Sequence, residues 1–338
     1  MKRKKTILVP ILFILAGVIL GISLFVIHKE GSNESKILNQ KNKGWTVKSV
    51  DTMKFSRDLA LEKLNDPLFD QTINLQIKNI KEIGATHVAI STPYDEKFIP
   101  YLSRWVKTAR TYNLNVWFRG NFSGWEGWFG EAKTLNREDH IKLMQSFIRN
   151  NPDLFENGDI FTPCPECENG GSGDPRSTSN VDDFRQFMID ENIIAEKEFD
   201  SIGKKIATNY ASMNYDVAKL VMDKETLKKM GDVIVVDHYV ETPQQLSRDI
   251  DYLIENKNAQ VVLGEIGVPI DSIHQNMTEQ DQTQWLNQAF NLLSQKKNVI
   301  GVNYWVSYGG SSAIFNGDNT PKKAADILLK YYTKEFFD

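Results

Sequence analysis

Cysteine is nearly absent from this chain: Cys164 and Cys167 are the only two in 338 residues. Two thiols cannot build a multi-disulfide scaffold or an all-cysteine zinc site. Histidine is sparse too, five in all and scattered, so no metal-ligand cluster is legible and neither metal nor other cofactor is expected. There is no surplus of positive charge. The formal net charge is −4, and four of the 40 basic residues, Lys2, Arg3, Lys4 and Lys5, crowd the first five positions. Without them, 36 basic residues face 44 acidic ones. A body that acidic lacks the basic face that a phosphate backbone requires, so nucleic acid is not an expected partner. Compositional bias is lacking as well. With 41% apolar and 25% charged residues, collagen-like, low-complexity and largely disordered chains are excluded. The length allows one large domain or two average ones.

Charge is missing altogether from residues 6–27, TILVPILFILAGVILGISLFVI. A helix rising about 1.5 Å per residue over that run spans a hydrocarbon core of about 30 Å. The basic cluster precedes it, which by the positive-inside tendency leaves the N-terminus cytoplasmic and the rest outside. The expected organisation is a basic stub and transmembrane signal-anchor over residues 1–28, a polar tether over 29–44, and one folded domain over 45–338. A cleaved signal peptide, cut near Ser23 and giving a secreted protein, is the competing reading. Against it, the run is longer than a usual signal core and no A-x-A site follows. No cysteine follows the run either, so a lipoprotein anchor is not supported. The expectation is a single-pass protein of the cell membrane, bacterial in type, with its folded domain extracellular.

From Trp45 onward, short β-branched or aromatic runs alternate with amphipathic stretches. The candidate strands cover residues 45–50, 87–91, 115–119, 159–164, 205–209, 233–238, 260–265 and 301–305. Several, such as VIVVDHY and QVVLGEIG, are almost wholly apolar, as parallel strands covered on both faces should be. Between them apolar residues recur at spacings of three and four, as in Ile73, Ile77, Ile80 and Ile83. Gly84, Gly231 and Asn258 stand where helices should stop, and Thr278 with Asp281 marks a helix start. Eight strand–helix repeats in about 290 residues predict a (β/α)8 TIM barrel of about 250 residues with elaborated loops. A doubly wound open sheet would usually carry a glycine-rich turn after its first strand, and TVKSVDTMKF has none.

In such a barrel, active residues sit at the C-terminal ends of strands. Strand seven ends in LGEIGVP, where Glu265 follows apolar residues and is flanked by glycines. A carboxylate there is costly unless paired. It is either half of a buried salt bridge or a group exposed to a ligand, for which its small neighbours leave room. Strand four ends in DIFTPCPECENGG, which offers Glu166 and Glu168. Two-residue alternation turns both the same way, so periodicity does not choose between them. Two carboxyl groups across a barrel mouth are what glycoside hydrolysis requires, one protonated to assist the leaving oxygen and one ionised to attack or to activate water.

VVLGEIGVP, with TPCPECENGG upstream and GVNYWVSYGG downstream, resembles clan A of the glycoside hydrolases, in a cellulase-like, family 5-like form. The resemblance runs over roughly residues 45–332. It implies a retaining (β/α)8 enzyme with Glu265 as nucleophile, Glu166 as acid/base, Tyr239 as hydrogen-bond donor to the nucleophile, and Trp305 as the floor of the sugar site. Two features depart from the clan's pattern. Pro165 and Cys167 stand before the two candidate acids in place of asparagine, and strand two ends in Ser91-Thr92 where the clan carries arginine. Arg119 ends strand three instead and is taken as a substrate ligand.

Aromatic residues are dense where loops should cover the mouth, and their faces stack on sugar rings. Trp125 and Trp128, set among glycines and acids, read as a loop platform. Of Asp237 and His238, one should point inward as a sugar ligand while the other packs on a helix; His238, like Glu168, is carried as a substrate-binding candidate. Cys164 and Cys167 form a local disulfide, remain buried thiols, or supply two ligands of a metal site, in that order of preference. The whole predicts an extracytoplasmic retaining glycoside hydrolase that cleaves β-glycosidic bonds in a polysaccharide or oligosaccharide and is held to the membrane by its N-terminal helix. The alternatives are a non-catalytic carbohydrate-binding barrel and a barrel enzyme of other chemistry, such as a lyase or deacetylase.

Overall fold

The computed structural model describes residues 44–171, 173–334 and 336. The apolar run over residues 6–27 and the tether before Gly44 lie outside the described residues. Among those described, no helix is long and apolar enough to cross a membrane.

The strands are β1 (Val47–Asp51), β2 (His87–Ile90), β3 (Asn115–Phe118), β4 (Ile160–Phe161), β5 (Ser212–Asn214), β6 (Val233–Asp237), β7 (Gln260–Ile266) and β8 (Val299–Tyr304). They pair in parallel in the order β4-β3-β2-β1-β8-β7-β6-β5. The two ends of that order meet. Ile160 bridges Ala207 in parallel, and the Phe161 N–H donates to the Ala207 carbonyl at 2.9 Å. The sheet therefore closes into a barrel rather than standing open.

One longer helix follows each strand: α1 (Asp70–Glu82), α2 (Ile99–Thr111), α3 (Arg137–Asn150), α4 (Val181–Ser201), α5 (Tyr215–Val221), α6 (Pro243–Lys257), α7 (Glu279–Ser294) and α8 (Lys323–Thr333). The Thr278–Asp281 start of α7 is a reciprocal capping box. Asn258 ends α6 in the left-handed region, at φ 57°.

Two strands depart from expectation. β4 is only two residues long, because Pro163 and Pro165 have no N–H to offer a ladder. β5 lies at Ser212–Asn214, beyond the expected 205–209, where Ala207 contributes only the closing bridge.

Alternation along the strands sorts the core in two. Val47, Ala89, Trp117, Val233, Val235 and Val262 fill the barrel interior. Val50, Val88, Val116, Ile234, Val236, Val261 and Leu263 turn outward into the layer shared with the helices. Two residues beyond inward Ser49, Trp117, Val235 and Val262 come Asp51, Arg119, Asp237 and Gly264. Period two thus sets a polar layer at the C-terminal rim.

Candidate active site

That layer is built around one cation. Arg119 is 2% exposed. Its Nη2 donates to Glu265 Oε1 at 2.8 Å and to Asp237 Oδ2 at 3.0 Å, and its Nη1 donates to the Gly264 carbonyl at 3.0 Å. Its Nε lies 3.7 Å from Asp51 Oδ2. Asn303 on β8 completes the layer, with its Nδ2 donating to the Gly264 carbonyl at 2.8 Å. Gly264 is required here: a Cβ at that position would collide with Asp237 Oδ1 and stand 3.1 Å from Arg119 Nη1. The ladder shifts register between Val236 and Asp237 and again between Leu263 and Ile266. This irregularity takes Glu265 out of simple alternation and lets it join the inward layer one residue after Gly264.

Glu265 is held from two sides. Arg119 takes one oxygen, and the Tyr239 hydroxyl donates to the other at 2.5 Å. Burial, then the charge of Glu265, holds the Tyr239 pKa well above its ordinary value, so the phenol remains a donor. Trp305, half-buried just after β8, meets the Tyr239 ring edge to face at 6.0 Å.

Glu166 stands in the loop after β4 in the left-handed conformation, φ 43° and ψ 48°, which is uncommon for a residue with a Cβ. Burial, followed by the charges of Glu265, Asp237 and Glu168, raises its pKa well above the usual carboxylate range. The same forces act deeper in the layer. Burial and the Glu265 charge push Asp51 up to about 6. Burial pushes Asp237 up to about 8, with Arg119 pulling back and Glu265 adding to the rise. Burial draws the Arg119 pKa down, but Asp237, Glu265 and Asp51 outweigh it and leave it raised. One guanidinium cannot neutralise four carboxyl groups, so crowding favours the protonated forms of Asp51, Asp237 and Glu166. The arrangement can keep one carboxyl as an acid beside another fixed by two donors.

The structure brings Glu166, Glu265, Tyr239, Arg119 and Trp305 to one end of the barrel and revises the expected parts of several others. Arg119 lies beneath Glu265 within the ion-pair layer and not on a ligand surface. Trp125 is not a platform: it is 1% exposed, stacked on Phe187 at 5.5 Å and set against His140 at 4.8 Å. Gly170 and Gly171 lie flat against its indole, where any Cβ would collide. Trp128 is half-buried, with the Arg57 guanidinium 5.1 Å above its ring. His238 turns away from the barrel. Its Nε2 pairs with Asp249 on α6 at 2.8 Å, and its ring stacks on Tyr215 at 4.3 Å. Asp237 is the inward member of that pair. Glu168 is 3% exposed, and its Oε1 accepts from the Asn214 N–H at 2.7 Å and Nδ2 at 2.9 Å, fastening the β4 loop to β5.

Sequence reasoning missed Asp51 and Asn303. β1 and β6 both end in Asp, but β1, VKSVD, carries Lys48 and Ser49 and does not read as an apolar run. Cys164 and Cys167 are joined in a disulfide. Among the described residues no group of His, Cys, Asp and Glu could hold a metal ion.

Solved structures share this barrel. A GH5_18 protein from Bifidobacterium longum subsp. infantis superposes with a TM-score of 0.61 at 13% identity, over 86% of this chain and 79% of that one. One of two fungal beta-1,4-galactanases gives 0.59 at 15% identity, over 85% and 100%. A beta-D-glucuronidase from Dictyoglomus thermophilum gives 0.53 at 18% identity over 79% of this chain, which spans only 48% of that protein's length. At these identities the likeness is one of fold. No protein-family model matches the chain, and no curated protein matches its sequence significantly.

Proposed function

We propose that this protein is a retaining glycoside hydrolase acting on β-linked glycans. Glu166 protonates the glycosidic oxygen while Glu265 attacks the anomeric carbon and forms a glycosyl-enzyme ester. Glu166, now ionised, then takes a proton from the water that hydrolyses the ester. Tyr239 and Arg119 keep the Glu265 carboxylate aimed, and Trp305 offers a face to the sugar ring.

The observation that carries this reading is the pairing of unlike carboxyl groups on one rim. Glu265 is fixed by Tyr239 and Arg119. Glu166 is pushed toward its protonated form by burial and by Glu265 itself. The β-linkage draws support from the barrel's neighbours, among them a GH5_18 protein solved with Manb1-4GlcNAc and the beta-1,4-galactanases. The apolar run over residues 6–27 is proposed to hold the barrel outside the cell membrane, which fractionation of the full chain tests.

The test of function is a screen of β-linked mannans, glucans, galactans and N-acetylglucosamine-containing oligosaccharides for new reducing ends, with Glu265→Gln as the blank. Cleavage by the wild type alone is expected. Sugar binding without cleavage would make the barrel a carbohydrate-binding protein instead.

A further inference from the structure

The carboxyl of Glu166 differs from its neighbours in how it is held. Glu265 accepts from Arg119 and Tyr239, and Glu168 accepts twice from Asn214. Among the described residues, none donates a hydrogen bond to the side chain of Glu166. With no hydrogen bond to its carboxyl, its aim is set by packing and by its backbone, and that backbone lies inside a covalent ring. Cys164 and Cys167 bracket Pro165-Glu166 and are bonded to each other, with their Cα atoms 5.3 Å apart. Pro165 has a fixed φ, and Glu166 occupies the left-handed region at φ 43°, which a residue with a Cβ seldom keeps unless its surroundings impose it.

The loop is also restrained by hydrogen bonds on either side of Glu166, among them the pair from Asn214 to Glu168. The Glu166 N–H donates to the Ser212 carbonyl at 2.9 Å, and the Asn169 N–H donates to the Glu166 carbonyl at 2.8 Å. Behind the loop, both cysteines are packed into the apolar core. The disulfide backs onto a small apolar cavity whose walls include Phe187, Met188, Thr208 and Met230. The same cavity is lined by Glu191, whose buried Oε2 has no partner.

We propose that Cys164 and Cys167 are positioning residues of the proton-transfer step: their disulfide holds Glu166 in its catalytic orientation, and a dithiol reductant that breaks it disarms the acid while sparing Glu265. The exchange balances. The reductant's two thiols become one disulfide, the Cys164–Cys167 bond breaks, and each sulfur gains one electron and one proton. Cys164 and Cys167 are 7% and 3% exposed, so the exchange requires the loop to open. The inference rests on the assignment of Glu166 as acid/base.

The experiment compares three preparations on paired aryl β-glycosides, one with a poor leaving group and one with a good one. These are the oxidised protein, the protein reduced with dithiothreitol with its free thiols counted, and the Cys164→Ser/Cys167→Ser double variant. A substrate with a good leaving group needs little protonation, so it reports the fold and Glu265 while bypassing Glu166. The reduced and doubly substituted proteins should lose about 10- to 100-fold in kcat/KM on the poor leaving group and stay within about threefold on the good one, with reoxidation restoring the reduced sample. Equal losses on both substrates would make the bridge a fold staple, and no loss on either would make it irrelevant to the acid; each overturns the proposal. If the oxidised protein cleaves neither substrate, the glycosidase reading fails and this inference falls with it.

Discussion

Asp237→Asn should make the protein more stable, and increasingly so as pH rises. Asp237 is fully buried at the end of β6. Its Oδ2 takes one hydrogen bond from Arg119, while its Oδ1 has no partner. Burial lifts its pKa from 3.8 to about 8, despite the pull of Arg119. A carboxyl whose pKa is higher in the folded than in the unfolded state binds an extra proton on folding between those two values. Stability therefore falls as pH rises through that window, and the loss is complete above the folded value. Each unit corresponds to about 1.4 kcal/mol, so the window from pH 4 to pH 8 amounts to roughly 5 kcal/mol. Asparagine matches the neutral acid in shape and never ionises, so the variant escapes this loss. Urea unfolding of both proteins at half-unit steps of pH gives the answer. The difference in stability should be near zero at pH 4, grow by ~1.4 kcal/mol per unit and level off near pH 8. Parallel profiles, or a variant less stable than wild type at pH 9, would refute the picture of an overcrowded buried anion layer. The native aspartate would then be a stabilising partner of Arg119 and not a burden carried to set the charge around Glu265.

Glu166→Ala should slow cleavage of poor leaving groups by about 10²- to 10⁴-fold and be partly rescued by good ones, measured as kcat/KM across an aryl glycoside series. Glu168→Ala should affect activity much less, while leaving the Asn214 N–H without its acceptor and lowering stability by ~1–3 kcal/mol in urea unfolding. Trp125→Ala should destabilise by ~3–5 kcal/mol, as emptying a core site does. Trp305→Ala, at a half-buried position beside Tyr239, should instead act on substrate, raising KM with stability changed by about 1 kcal/mol or less.

The barrel was legible because its signals are redundant. Runs such as VIVVD and QVVLGEI are too apolar for anything but strands covered on both faces, and Thr278–Asp281 announces a helix in four residues. Legibility failed where pairing depends on partners distant in sequence. Nothing near residues 205–214 says that Ala207 joins the ladder only through one bridge to Ile160, or that the ladder with β6 waits until Ser212. Glu265 was legible because a lone carboxylate in an apolar strand calls for an explanation. Asp51 ends the mixed strand VKSVD and lacks that contrast, and ending the first strand at Val50 hid it by a single residue. Trp125 was misplaced because GWEGW reads locally as open loop; Gly170 and Gly171, which close over its indole, lie 45 and 46 residues away in sequence. The Arg119 layer was out of reach for the same reason, since it joins the ends of β1, β3, β6 and β7.

The central claim is that Glu265 is the nucleophile, and covalent trapping tests it most directly. The oxidised protein is incubated with 2-fluoro β-glycosides bearing a good leaving group, and the modified peptide is located by mass spectrometry. The account predicts one glycosyl group per chain, attached at Glu265, with no adduct on Glu265→Gln. An adduct on another residue, or brisk turnover by Glu265→Gln, would contradict it.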